Sequence, residues 1–461
     1  MDKTEAYFKK MTETPVSKLV TSLGIPTTIS MLITNVYNMA DTYFVGELGE
    51  SPQAATGILF TLQAIIQAIA FMLGQGSGAM VSKALADKNT DEASEYASTA
   101  FFTGGAAGTV LMILGLVFLT PFMRLLGSTE TILPYAEDYG MWVLISCPFM
   151  VCSLVLNNNL RYEGKAFYAM IGLTAGGVLN IFGDWILIKK FDMGVYGAGL
   201  STAVSQMISF TLLLVFYIKM AQSRISLKLV SKRAEVYSSI CKVGFPALIR
   251  QGLSSISSGL LNNLTKPYGD AAIAAMSVVN KFSMFVMCVG LGVGQGFQPV
   301  ASFNYQAGKY KRVKDSMVFT MVLGAIVTLC LAVPSFFAAE SIVKIFQKSP
   351  DVVETGARAL RYACGGLLFM PLSVPVNMLY QSIRKAGLSA FLSMMRSGLM
   401  LIPTLIIMAN LWGLTGILVS QPLADALTGI ISIPFIIHFL KSTPNEACAK
   451  DGQSGKKESM E

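Results

Sequence analysis

Charge is scarce in this sequence: Asp, Glu, Lys and Arg make up 13% of its 461 residues, where roughly 25% is usual for a soluble protein. Histidine occurs once, at His438, and tryptophan three times. The seven cysteines (Cys147, Cys152, Cys241, Cys288, Cys330, Cys364 and Cys448) contain no C-x-x-C pair, which supports neither a zinc site nor a disulfide framework. Six of them lie in or beside apolar stretches, where they behave as small hydrophobes. The H-E-x-x-H, G-x-S-x-G and Walker A signatures are missing, so neither an enzyme nor a bound cofactor is expected. On so apolar a chain the net charge of +8 mostly reports orientation in a membrane rather than nucleic-acid binding.

What the chain has is apolar length. Hydrophobic residues are 53% of it, and they run in stretches of about 20 to 28 residues, enough to cross roughly 30 Å of hydrocarbon. The expected fold is an all-α polytopic membrane protein, with twelve transmembrane helices in two pseudo-symmetric six-helix bundles. Charged breaks divide it into a polar N-terminus (1–16), a first lobe (17–218), a connector (219–236), a second lobe (237–440) and a tail (441–461) whose composition reads as disordered. The first lobe has spans near 17–46, 54–82, 93–120, 133–159, 166–188 and 195–218, and the second near 237–265, 271–299, 315–337, 354–380, 386–409 and 412–440. The N-terminus lacks the small-residue cleavage site of a removable signal. Of the 35 Lys and Arg residues, 24 fall on the N-terminal side of this topology and eight opposite. Positive loops face inward, which places both termini in the cytoplasm and the protein in the plasma membrane, with lipid around it.

The halves repeat at an offset of 220 residues, pairing Gly24 with Gly244, Pro26 with Pro246, Gly49 with Gly269, Asn157 with Asn377 and Gly74-Gln75-Gly76 with Gly294-Gln295-Gly296. Six spans per copy is an even number, so the copies enter from one side and are related by an axis along the membrane normal. Two such lobes enclose a central cleft, the architecture of an alternating-access carrier of small molecules.

Departures from the repeat mark candidate chemistry. Asp41 becomes Leu261, Asn180 becomes Met400 and Asp184 becomes Thr404, whereas Ser30 becomes Arg250, Thr61 becomes Lys281 and Gly176 becomes Arg396. At about 1.5 Å of rise per residue, Asp41, Tyr139, Asp184 and Thr202 share one depth in the outer half of the first lobe. Asn180 lies one turn from Asp184 on the same helix face. An ionisable group inside a span costs roughly 2.5 to 3.5 kcal/mol on insertion scales. Asp41 and Asp184 therefore either share a proton or, with Asn180 and Thr202, hold a hard cation such as sodium; the plainer reading is a set of hydrogen-bonded polar groups near the interface. Arg250, Lys281 and Arg396 lie near the midplane, with Asp425 of the last span as a partner for one of them. They form either a structural ion pair or a positive wall facing the cleft.

Gln75, Gln295 and the run Gly290, Gly292, Gly294 and Gly296 read as helix-contact residues, since the run misses the dinucleotide-binding spacing. His438 reads as interfacial. Pro26 and Pro246 are candidate bending points.

At Tyr37-Asn38-Met39-Ala40-Asp41, Leu160-Arg161-Tyr162-Glu163-Gly164, Leu179 through Asp184, Gly197-Ala198 with Thr202, and Gly294-Gln295-Gly296 through Asn304-Tyr305, the chain resembles the multidrug and toxic compound extrusion (MATE) transporters. The resemblance runs from about residue 15 to 440. It implies a V-shaped pair of six-helix bundles exporting amphipathic, often cationic drugs in exchange for protons or sodium. It also implies a cation site at Asp41, Asn180, Asp184 and Thr202, and a first-lobe cavity around Tyr37, Asn38, Tyr139 and Asn157. Trp185 stands where such proteins often carry proline, and the seventh and tenth spans lack the mid-span acids that some relatives have. The competing expectation, motivated by Arg250, Lys281 and Arg396, is a flippase for a polyprenyl-linked or other anionic lipid.

Overall fold

The computed structural model describes residues 3–346 and 349–444. Among them every regular element is a helix. The first six spans are Val16–Gly46, Glu50–Ala86, Thr90–Val117, Leu133–Tyr162, Ala166–Lys190 and Gly194–Met220; the seventh to ninth are Ala234–Thr265, Asp270–Gln306 and Tyr310–Phe337. The tenth is Pro350–Leu367 continued by Met370–Ser382 with a 50° bend between them. The eleventh and twelfth share the stretch Ala386–Ser442, divided at Gly413, whose φ of 57° and ψ of −131° no helix accommodates.

The seventh span falls short of the apolar character of its neighbours, and its surface explains why. Ser254, Ser255, Ser258, Asn262 and Asn263 on its outer half are exposed, as suits a helix that lines an aqueous cleft rather than one surrounded by lipid.

The repeat extends into the backbone. Gly49 and Gly269, 220 residues apart, start the second and eighth spans with φ of 133° and 85°, conformations open to glycine because it has no Cβ. The pairs Lys88/Gly308 and Gly164/Arg384 repeat left-handed turns at the same offset. Short helices that the apolar pattern does not separate, Leu119–Leu125 and Ala339–Phe346, follow the third and ninth spans at equivalent places.

The lobes meet on the face that bears the termini and part toward the opposite face. One apolar core on the terminal face draws on both lobes, with Leu19, Leu23, Ile240, Val243 and Phe297 together. Away from it the cores separate, one around Leu59, Leu62 and Val143 in the first lobe and one around Val279, Leu360 and Leu418 in the second. Glycines allow the crossings between lobes: a Cβ on Gly76 would lie 2.1 Å from the Ile240 carbonyl oxygen, and one on Gly296 would lie 2.3 Å from the Gly24 Cα. These contacts are repeat partners, since Gly24 pairs with Gly244 and Gly76 with Gly296. Gly292 faces Thr28 while Gly290 and Gly294 face Met370 and Met378, so the eighth span's glycine run is a packing device, as its spacing suggests.

Residues 1–16, read from sequence as a polar end, include the helix Lys3–Glu13. Tyr7 and Met11 are buried on one face of it, against the turn at Gly164 and the ring of Phe303. The connector is pinned to the first lobe: Ser94, Ser98 and Thr99 accept from the backbone of Arg224, Ser226 and Ser231, and the buried Glu163 accepts from the amides of Gln222 and Ser223. Beyond Pro444 the expected tail, with Cys448, lies outside the described residues.

Candidate functional site

The first and fifth spans bring their acids into one region on the outer side of the first lobe. Asp41 is 5% exposed and Asp184 fully buried, and the two carboxylates lie close enough to interact electrostatically. Tyr139 of the fourth span donates its phenol hydrogen to Asp41 Oδ2 at 2.8 Å and lies 3.3 Å from Thr202 Oγ1. Asn180 Nδ2 donates to Thr202 Oγ1 at 3.1 Å, and Ser201 Oγ donates to the Asn180 carbonyl at 3.0 Å. Just outside the cluster, Lys189 pairs with Glu47 and ties the outer ends of the fifth and first spans. That ammonium holds the Glu47 carboxyl below the usual carboxylate range.

Four acceptors in this cluster, Asp41 Oδ1, Asn180 Oδ1 and both carboxylate oxygens of Asp184, are buried and make no hydrogen bond among the described residues; the hydroxyl of Ser201, near Asp184, is given to the Asn180 carbonyl instead. Buried acceptors are paired in the great majority of native structures, and leaving one unmet costs about 1–3 kcal/mol, more for a charge. Oxygens alone, converging from three side chains, suit a proton or a small hard cation. Among the described residues no group of three or more His, Cys, Asp or Glu side chains gathers as for a transition metal.

Asp41, Asn180, Asp184 and Thr202 therefore come together as the sequence expects. Tyr139, set by the sequence at the depth of the acids and by the resemblance near a first-lobe cavity, gives its hydroxyl to Asp41; it is 1% exposed and does not line the central cavity. Trp185 begins a π-helical segment, Trp185–Lys190, directly after Asp184. Such bulges recur at functional sites.

A cavity of about 210 Å³ lies between the lobes. Tyr37, Asn38 and Asn157 line it, with Gln67, Phe71, Met150 and Gln206 from the first lobe and Arg250, Gln251, Met284 and Cys288 from the second. Its charged lining residues are Arg161 and Arg250, with no acid among the described ones. Gln295 lines it too, whereas Gln75 is fully buried with neither amide atom partnered among the described residues.

The second-lobe charges separate into different roles. Arg396 Nε donates to Asp425 Oδ1 at 2.7 Å, and Gln421 Nε2 donates to the same oxygen at 3.1 Å, which is the expected ion pair. Lys281 is exposed and does not line the central cavity. Arg250 has no hydrogen bond or ion pair among the described residues. His438 is exposed near the end of the last span.

Sequence reasoning missed Arg161, which it placed among basic residues of the terminal face. Arg161 is 1% exposed and closes the cavity floor across the lobes. It donates to the Gln295 carbonyl at 2.6 Å, to Gln298 Oε1 at 2.9 Å and to Asn158 Oδ1 at 2.6 Å. Gln298 in turn donates to Gln381. Arg161 and Gln381 are 220 residues apart, so this departure from the repeat is the signal that marks it.

The sequence profile of the MatE family matches residues 26–186 and 246–407, one copy in each lobe. The chain is 28% identical over 438 residues to the multidrug export protein MepA of Staphylococcus aureus strain MSSA476, covering 94% of this chain and 96% of that one. It is 26% identical over 437 residues, with the same coverage, to MepA of Staphylococcus saprophyticus. Among solved structures, an outward-facing multidrug resistance MATE transporter of the MOP superfamily superposes with a TM-score of 0.88 at 22% identity, over 94% of this chain and 98% of that one. A MATE protein in complex with MaL6 gives the same score and identity over 94% and 99%. Family profile, relatives and fold agree: this chain is a membrane transporter, not an enzyme, and belongs to the MatE family.

Proposed function

We propose that this protein is a secondary antiporter of the plasma membrane, with both termini in the cytoplasm, that exports amphipathic organic compounds in exchange for protons or sodium. The observation that carries the coupling is the set of buried oxygens on Asp41, Asn180 and Asp184 that make no hydrogen bond among the described residues. Thr202 completes the site, and a proton or sodium ion there is a transported species rather than a resident cofactor. The resemblance in sequence to multidrug export proteins supports the cargo class. For a cationic compound the cavity lining includes the aromatic residues Tyr37 and Phe71 and the amide residues Asn38 and Gln67, so attraction to aromatic rings takes the place of an ion pair.

Ion occupancy changes the balance between inward and outward states only through different affinity for the two. Asp41 lies on the first span, whose terminal half packs on the second lobe at Gly24, so a charge change at Asp41 acts on a helix shared by the ion site and the seam. The test is export from proteoliposomes holding the purified chain, with a proton gradient and a sodium gradient imposed separately. One gradient is expected to drive drug uphill, and Asp41→Asn to abolish that drive while leaving the protein folded. Full export by Asp41→Asn would refute the assignment.

A further inference from the structure

Arg250 sits where the central cavity adjoins a smaller one in the second lobe and lines both. It has no hydrogen-bond or ion-pair partner among the described residues, and the charged groups acting on it include a second guanidinium, Arg396. Arg161, also close enough to feel Arg250, spends its donors on neutral oxygens. Arg396 gives Nε to Asp425 and Nη1 to the Met287 sulfur at 2.9 Å, and a thioether is a weak acceptor. Three guanidinium groups thus stand near one carboxylate, and Arg250 itself is only partly exposed. A buried cation is tolerated when it is paired and hydrogen-bonded, and the fork of donors on an arginine matches a carboxylate or phosphate in two places at once.

Resting on the reading of the central cavity as the transport cavity, we infer that Arg250 is the receptor for an oxyanion, so that the cargo is an apolar molecule bearing a carboxylate, sulfonate or phosphate. The apolar body has Met31, Phe71, Met150, Met284 and Leu291 to lie against. A cationic group on the same molecule keeps the aromatic residues of the first lobe, so zwitterions fit both ends.

The test is equilibrium fluorescence binding to the full chain in nanodiscs, without any ion gradient, of a rhodamine carrying a free carboxylate and of its methyl ester. Wild type is expected to hold the carboxylate about tenfold tighter than the ester. Arg250→Gln is expected to bring the two affinities within about twofold of each other, and Arg250→Lys to keep part of the preference. Ester binding serves as the folding control, since a collapsed variant loses both ligands. A wild type indifferent to the carboxylate, or an Arg250→Gln variant that keeps the tenfold preference, overturns the inference. Repeating the measurement in phosphatidylglycerol discs assigns the source: competition by that lipid makes the natural anion a lipid phosphate, and indifference makes it a free solute, with Arg250 the receptor in both cases. Because no gradient is applied, a failure of ion-driven export leaves this result untouched.

Discussion

Among the described residues neither oxygen of Asp184 makes a hydrogen bond, whereas Asp41 keeps one oxygen on Tyr139 and leaves the other unmet. The two acids therefore differ in what an ion does for them, and the difference is measurable as ion-dependent heat stability. A species bound only by the folded state at a hundredfold over its dissociation constant stabilises by about 2.7 kcal/mol. The melting midpoint of the purified wild type is expected to rise with sodium or with acid, and Asp184→Asn to abolish the rise. Tyr139→Phe removes the last donor to Asp41, at a cost of about 1–3 kcal/mol. Its midpoint is expected to fall below wild type without the ion and to recover most of the gap when the ion saturates. Loss that no ion recovers would make Tyr139 a packing residue alone. The acids were legible because a charge inside a span is costly and because the second copy lacks them. Arg161 was not: at the end of the fourth span, on the terminal face, a basic residue is what orientation demands, and nothing local in Leu160-Arg161-Tyr162 reveals that it turns inward to the cavity floor.

The helix Lys3–Glu13 joins the two lobes across the closed face. Tyr7 donates to the Tyr162 carbonyl of the first lobe at 3.2 Å, while from the second lobe Asn304 donates to the Met11 carbonyl at 3.1 Å and Arg312 to the Thr14 carbonyl at 2.5 Å. Opening that face requires one set of these bonds to break. Arg312→Ala is expected to loosen the helix by about 1.4 kcal/mol, and hence to speed tryptic cleavage after Lys9 and Lys10 about tenfold. Unchanged cleavage would mean that the edge-to-face contacts of Tyr7 and Phe8 with Phe303 hold the helix by themselves. Burial, and then the charge of Lys165, lowers the Lys10 proton affinity below the ordinary lysine range. The released helix binds that proton better, so docking strengthens, and cleavage slows, as pH rises toward that range. Spans were legible where apolar length alone decides them, and even the division near Trp412 shows as a short polar break. The bend between Leu367 and Met370 was not, since the equivalent fourth span runs unbroken from Leu133 to Tyr162 although Phe149-Met150 and Phe369-Met370 are identical.

Among the described residues, every hydrogen bond that joins the lobes lies on the terminal face, including Ser302 to the Ala79 carbonyl and Gln306 to Asp87. The state seen is therefore sealed on that face and open on the other, and exchange between states means separating the glycine crossings. Sequence symmetry treats Gly24 and Gly244 as equivalents, but the folded lobes do not. A Cβ on Gly24 meets Val293 Cα at 3.5 Å, an ordinary contact, whereas one on Gly244 would stand 1.8 Å from the Met72 carbonyl oxygen. Gly244→Ala must push the seventh span away from the second, and because the pushed surfaces are the seal itself, the relief is expected to favour the state open to the terminal face. Cys288, on the cavity wall, reports which face is open. With every other cysteine replaced by serine, a membrane-impermeant thiol reagent should reach it in wild type and in Gly24→Ala from the face opposite the termini. In Gly244→Ala the preferred side should reverse, with the labelling ratio moving about tenfold for each 1.4 kcal/mol of bias. A variant that merely melts earlier while its labelling stays on the original side would show that the crossing holds the lobes together without deciding which way they open.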